Sequence, residues 1–448
     1  MTDGRTVAAR LEEGEAARAR TPFSGVAGWR PSKDRPDPVA LLEEQATTRM
    51  PELVPVRYGR MMASPLAFFR GAALPMAADL ATIPVSGIET QLCGDAHLSN
   101  FGMFASPERD LVFDITDFDE TLVGPWEWDV ARLATSLVLA ARSRGFSAHD
   151  GRHAVHEAVR SYLERMHAYA TMHTIDVYYS KVDTRQILAY VDTRARSYLQ
   201  TTIKSAVHHD ALHELPKVTE IAGGKRRIVD RPPMITHPPE LTLQLEANGL
   251  AGYRKTLQND RQVLLDRYEI VDAALKVVGI GSVGLAALLV LLDGGNGDDP
   301  LFLQAKEAEA SVLERFLRPS PYDHHGERIV TGQRLLQATS DIMLGWTTGD
   351  GGRHIYIRQH QDQKGVAVVE AMTTDDLTTW GELCAWALAR GHARSGDPAV
   401  IAGYLGDTTA FAHAVGDFAG AYADQTERDF ETFDAAIKAG RIAAQPGV

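Results

Sequence analysis

The chain has 448 residues, a formal net charge of −13 at pH 7, 44% hydrophobic and 23% charged residues, and only two cysteines. That length accommodates two or three ordinary cores or one bilobal enzyme, and the composition is that of a globular protein. The acidic balance argues against a nucleic-acid backbone as the main partner, two cysteines are too few for a disulfide framework, and the longest apolar run, Val283 to Leu292, is too short to cross a bilayer. The amino-terminal stretch is charged throughout and lacks the apolar centre of a secretion signal, so the expectation is a cytoplasmic protein with no membrane and no nucleic-acid partner.

Residues 1–38 alternate charged with small residues and then turn Pro-rich at Pro31, Pro36 and Pro38, which predicts a loosely attached arm. From Val39 the pattern is helical, and Pro65 to Leu80 carries apolar residues at helical spacing despite Pro75. Arg57, Arg60 and Arg70 lie in this region; one of them can reach a phosphate, although arginines on helix edges more often face solvent or a salt bridge. The densest chemistry follows. Residues 93–100 read CGDAHLSN, with Asp95, His97 and Asn100, and across a predicted β-hairpin stand Asp114, Asp117 and Asp119. A carboxamide and a carboxylate from two adjoining loops suit Mg²⁺, which takes few protein oxygens and completes its octahedron with water and phosphate. Asp95 is then free to orient or deprotonate an attacking hydroxyl. The bland reading makes these Asp residues turn caps, with Asp114 capping the hairpin. His97 is expected to hydrogen-bond within its loop, Trp126 and Trp128 to fill the core, and Cys93 to be a buried thiol.

The strings GDAHLSN and TDFDET resemble the catalytic loop and metal-binding segment of aminoglycoside and choline phosphotransferases. Asp129, twelve residues after Asp117, matches a helix-starting Asp that in those enzymes braces the catalytic loop. By wording, the stretch from Leu53 to Gln425 also resembles a bacterial family known as domain of unknown function 2252, through RYGRMMASPLAFFRGAA, GDAHLSNFG and GQRLLQATSDIMLGWT. The first resemblance implies a protein kinase-like fold, ATP and Mg²⁺ as cofactors, Asp95, Asn100 and Asp117 as catalytic residues, and Asn100, Asp117 and Asp119 as metal ligands. The second implies no function.

After the hairpin, Val130, Leu133, Ala134, Leu137, Val138 and Ala141 form one apolar stripe of a helix. Residues 150–270 read as mostly helical, interrupted between Pro216 and Pro239. Then Gly279, Gly281 and Gly284 stand in the frame G-x-G-x-x-G around Ser282. Only eight residues, 285–292, separate them from the next turn, too few for the helix of a dinucleotide-binding unit. A kinase glycine loop needs strand, glycines, strand and a Lys on the third strand; Lys306 fits, although the Leu and Ala richness of residues 285–292 is poor strand material. Glu327 or Glu314 is the expected partner of Lys306, Gln333 to Ile342 the following helix, and Met343 to Trp346 and His354 to Arg358 two further strands. The rest is helical.

Together these readings give an α+β, bilobal, kinase-like fold in circularly permuted order. Residues 1–38 form an arm, 39–270 a helical catalytic lobe, 271–358 a small β-rich nucleotide lobe, and 359–448 the hinge and remaining helices. The expected activity is ATP-dependent transfer of phosphate to a hydroxyl or amine of a small molecule or peptide. The cofactor-binding residues are Gly279, Gly281, Ser282, Gly284, Lys306 and Glu327. Nucleotidyl (AMP) transfer by the same site, a nucleotide-binding pseudokinase, and a metal-dependent hydrolase using Asp95, His97 and the Asp117/Asp119 pair are the alternatives.

Overall fold

The computed structural model describes residues 4–190, 196–207, 211–223, 225–237, 250–277, 279–281, 283–295, 299–360 and 364–447. Helix α1 (Val7–Arg20) opens the chain, followed by α2 (Pro38–Ala46), α3 (Val54–Met61), α4 (Pro65–Gly71) and α5 (Ala73–Leu80). Ser64 caps α4 ahead of Pro65, where a missing N–H costs nothing, and Pro75 falls in the first turn of α5 for the same reason. The sequence pattern over Pro65 to Leu80 is therefore two helices, broken at Ala72.

The first 38 residues are not a loose arm. Gly14 and Ala17 of α1 are buried, Arg10 pairs with Asp397, and Trp29 is 5% exposed against Phe418 and Tyr422. Arg35 bridges Asp79 and Asp429. Apolar residues scattered along the segment, Val7, Leu11, Phe23 and Trp29, join these small and charged contacts, so no regular hydrophobic stripe betrays the docking.

Strands β1 (Glu89–Leu92) and β4 (Leu122–Pro125) pair antiparallel, and between them β2 (Phe101–Ala105) and β3 (Leu111–Ile115) form the expected hairpin. Helix α6 (Trp126–Ser143) begins with Glu127 and Asp129 in its first turn, where carboxylates meet the positive end of the helix. It is buried on every face from Trp126 to Ala141, as a central helix must be. Helix α7 (Ala148–Thr171) starts from a Ser147/Asp150 capping box.

The middle of the chain builds a six-stranded antiparallel sheet from β5 (Ile235–Thr236), β6 (Glu269–Lys276), β7 (Ala287–Asp293), β8 (Pro300–Glu307), β9 (Gly345–Thr348) and β10 (His354–Gln359), in the order β9-β10-β8-β7-β6-β5. Its first strand lies well before the expected boundary at residue 271, and Tyr253, Leu257 and Leu265 pack on one face. Strand β7 explains its own composition: Leu288, Val290 and Leu292 face that cluster, while Leu289 and Leu291 face Leu215, Val218 and Ile228. A strand buried on both faces reads as an unbroken apolar run. Helix α8 (His325–Leu336) follows β8 and starts eight residues earlier than the sequence pattern indicates. The His324 side chain accepts from Glu327 N and fixes that start.

After β11 (Gly365–Val366), which joins the edge of β2, the chain returns to the helical body as α9 (Thr374–Ser395), α10 (Pro398–Leu405) and α11 (Ala410–Lys438). One core joins α6 and α7 to α9 and α11, so both ends of the chain build the large helical part and the middle builds the sheet. The architecture is mixed α+β. Among the described residues, no helix is long and apolar enough to cross a membrane.

Candidate functional site

The loop after β1 is held from behind. Asp129, 1% exposed, accepts from Cys93 N at 2.8 Å and Gly94 N at 3.0 Å, while His392 Nε2 lies 3.2 Å from it and Tyr162 Oη contacts His392 Nδ1 at 2.8 Å. Gly94 takes φ +85°, and a Cβ there would stand 2.2 Å from Glu120 O, so the turn requires glycine. The Asp95 carbonyl then accepts from His97 N at 2.8 Å and from Asn100 Nδ2 at 2.9 Å, which leaves the Asn100 side-chain oxygen as an acceptor. The Asn100 carbonyl accepts from Thr116 N at 2.8 Å, tying this loop to the segment after β3.

Arg132 is the residue here that the motif did not reveal. Its Nε donates to Asp95 Oδ1 at 2.7 Å, its Nη2 to Phe69 O at 2.7 Å, and its guanidinium lies 3.8 Å over the Phe69 ring. It sits three residues after Asp129, the spacing that puts both on one helix face, and that was the available signal. His97 departs from expectation: its Nδ1 is buried without a partner among the described residues and its Nε2 lies 3.8 Å from Asp95, beyond hydrogen-bond range. Burial, with Arg70 and Arg132 nearby, pushes its pKa well down and keeps the ring neutral.

Across the hairpin, Asp119 N donates to Asp117 Oδ1 at 3.1 Å. Burial and the neighbouring Asp119 carboxylate push Asp117 upward. Burial also works to raise Asp119, but the Lys306 ammonium and the Tyr356 hydroxyl outweigh it and hold that carboxyl low. Lys306, 2% exposed on β8, forms an ion pair with Asp119, and Tyr356, its register partner on β10, donates to Asp119 at 2.8 Å. Burial alone would lower the Lys306 pKa; the Asp119 charge raises it.

The expected partners of Lys306 are therefore corrected. Glu314 caps the short helical turn Val312–Arg315, and Glu327 lies at the start of α8. The neighbouring Arg328 makes the connection between α8 and the acidic segment instead, donating to Thr121 O, Asp119 O and Glu309 O at 2.6 to 2.8 Å. Residues adjacent on a helix point about 100° apart, so Arg328 and Glu327 cannot share this role. Asp114 does not cap the hairpin: it is 1% exposed and paired with Arg390.

The glycine turn joins β6 to β7. Gly279 and Gly281 line the cleft, Ser282 lies outside the described residues, and Gly284 turns away from it. Gly284 takes φ +96°, a Cβ there would lie 2.9 Å from the Arg49 side chain, and its carbonyl accepts from Met50 N at 2.8 Å. Arg49 Nη1 donates to Val283 O and Arg60 Nη1 to Gly279 O, so the turn is anchored to the segment before α3 and to α3 itself.

Two cavities meet here. One of about 500 Å³ is bounded by the glycine turn, β8, α8 and the end of β10; Asp117 and Lys306 both line it. Among the described residues, its walls bring Lys276, Lys306, Lys364, Arg109 and Arg358 against two carboxylates, Asp117 and Asp341. The other, of about 680 Å³, holds Asp95, His97, Asn100 and Asp119 beneath Gly279 and Gly281. Asp117 and Gly279 line both, so the two form one cleft that turns at Asp117.

Asn100 and Asp117 fit a magnesium ion that keeps waters and phosphate oxygens, because each retains an uncommitted oxygen. Asp119 is engaged by Lys306 and Tyr356, and among the described residues no group of three or more His, Cys, Asp or Glu side chains forms a metal cage. No curated protein and no solved structure matches the chain. The family model described as "Uncharacterized protein conserved in bacteria (DUF2252)" matches residues 49–436, and the chain belongs to that family.

Proposed function

We propose that this chain is an ATP- and Mg²⁺-dependent phosphotransferase of kinase-like, circularly permuted architecture, acting on a hydroxyl or amine of a small molecule or peptide. The observation that carries the reading is the convergence at Asp117. A carboxylate from the first third of the chain and an ammonium from the last third, Lys306, line one cationic cavity beneath a glycine turn, and Asp95 stands beyond the bend. In a chain of net charge −13, five cations against two carboxylates in one cavity favour a polyanion such as a triphosphate. The element order also supports it: strand, glycine turn, strand, third strand with Lys306, then a helix. The alternative partner Glu327 is not needed, since Asp119 holds Lys306 until a nucleotide competes for it.

In this reading the Lys306 ammonium transfers from Asp119 to the phosphates, and Gly279 and Gly281 let the backbone approach them closely. Asn100 and Asp117 would hold Mg²⁺, which would supply charge neutralisation on the transferring phosphoryl group. Arg132 fixes Asp95 through Oδ1, so Oδ2 is the atom left to orient the acceptor and take its proton. Positioning and charge neutralisation account for most of the rate.

Asp95→Asn is expected to keep nucleotide binding in calorimetry while slowing transfer about 10²-fold or more; unchanged transfer would remove Asp95 from the mechanism. One observation favours AMP transfer as a second reading. Five arginines, Arg49, Arg57, Arg70, Arg315 and Arg353, line the cavity that holds Asp95, where a nucleotide bound in the opposite sense would place its outer phosphates. The mass added to the acceptor separates the two.

Lys364 gives the site a pH signature. Burial, with Arg358 nearby, brings its pKa down to about 8. A bound phosphate favours the charged form, so nucleotide affinity should fall as pH rises through about 8, and Lys364→Met should flatten that dependence in a binding titration. Folding stability should move the other way, rising with pH from about 8 towards 10.5, because there the unfolded chain binds the extra proton.

A further inference from the structure

The cavity that contains Asp95 has a wall the proposed transfer does not use. Arg57 on α3 is 0% exposed; its Nη2 donates to Gln45 Oε1 and Gly71 O, but its Nε and Nη1 are buried with no acceptor among the described residues. Arg70 on α4 lines the same cavity, has a buried and unpartnered Nε, and finds no hydrogen-bond acceptor among the described residues. Arg49 adds a third guanidinium with a free Nε. The acids that face Arg57 are committed elsewhere: Glu120 accepts from Val312 N and Ser311 Oγ, and Glu309 bonds Thr48; the charges that face Arg70 are Asp95, whose Oδ1 is taken by Arg132, and Glu370. Buried donors left without acceptors are costly, and a guanidinium in that condition beside a cavity is matched by a planar or tetrahedral oxyanion.

We propose that the acceptor carries a phosphate or carboxylate group, bound by Arg57 and Arg70 in the cavity that also holds Asp95, so that the substrate is an anionic hydroxyl or amine compound. The naming of an acceptor rests on the phosphotransferase reading; the anion site itself does not. Burial lowers the Arg57 pKa to about 9, which still leaves it charged at neutral pH.

The test is calorimetric titration of inorganic phosphate, and separately of malonate, into wild-type protein, Arg57→Gln and Arg70→Gln, with and without saturating Mg²⁺ and a non-hydrolysable ATP analogue. Wild type should bind at least one of the two anions in both conditions, and the tighter one identifies the acceptor's group. Each variant should weaken that binding about tenfold or more while keeping wild-type affinity for the analogue. Arg70 holds no partner whose loss would disturb the fold, so Arg70→Gln remains informative if Arg57→Gln fails to fold. Anion binding unchanged in Arg70→Gln would overturn the proposal, as would displacement of the anion by the analogue, which would assign the arginines to the nucleotide. If the analogue does not bind even wild type, the phosphotransferase reading fails on its own; anion binding lost in the variants would still establish the arginine site.

Discussion

Asp117→Ala is expected to abolish Mg²⁺-dependent ATP turnover against pooled cell extract, with a loss of about 10³-fold or more, and to leave the protein folded. Both halves follow from its position. Asp117 lies where the two cavities meet, so in the proposed reading a magnesium ion held there would neutralise charge on the transferring phosphate. Its carboxyl is pushed upward by burial and by Asp119, so removing it relieves like-charge repulsion and costs the fold little. Turnover in the variant equal to wild type would contradict the assigned role. A loss of activity accompanied by a lowered melting temperature would mean that Asp117 serves the fold.

Arg390→Leu should produce the largest loss of stability, about 3–5 kcal/mol by chemical denaturation. Arg390 is 0% exposed, its Nη2 donates to both oxygens of Asp114 at 2.6 and 2.7 Å, and to Leu336 O at 2.9 Å. Asp114 also accepts from Ala338 N at 3.0 Å. The pair thereby rivets the end of α8, which packs on the sheet, to β3 and α9 of the helical part. Removing the cation strands a carboxylate that burial already pushes upward. Pairing the change with Asp114→Leu should recover much of the loss, since an apolar pair leaves no uncompensated charge. A single variant within about 1 kcal/mol of wild type would rule the rivet out.

The parts of this molecule that were legible in the sequence are those whose signal is local. Asp95, Asn100, Asp117 and Asp119 sit in two short loops joined by one hairpin, so their proximity follows from the hairpin. Lys306 was legible because it ends an apolar run on a strand. Its partner was not, because the competition between Glu314, Glu327 and Asp119 is settled by how the sheet sits over the hairpin, a long-range contact without local pattern. Strand β7 was doubtful for a different reason. Burial on both faces removes the alternation by which strands are recognised, and only its short length spoke against a helix. The docking of residues 1–38 is not legible because its contacts, Gly14, Ala17, Phe23, Trp29 and the Arg35 ion pairs, are scattered along the segment and form no periodic stripe. Arg57 on α3 and Arg70 on α4 read as helix-edge residues in the sequence, and only tertiary packing places them in the cavity that holds Asp95.

The most direct test is a crystal structure with Mn²⁺ and a non-hydrolysable ATP analogue, read by the anomalous signal of the metal. The account predicts one nucleotide in the cleft, its phosphates against Lys306 and the glycine turn, with manganese between Asn100 and Asp117. A nucleotide bound away from Lys306, or a pair of metals at Asp95, His97 and Asp117 with no nucleotide, would contradict it.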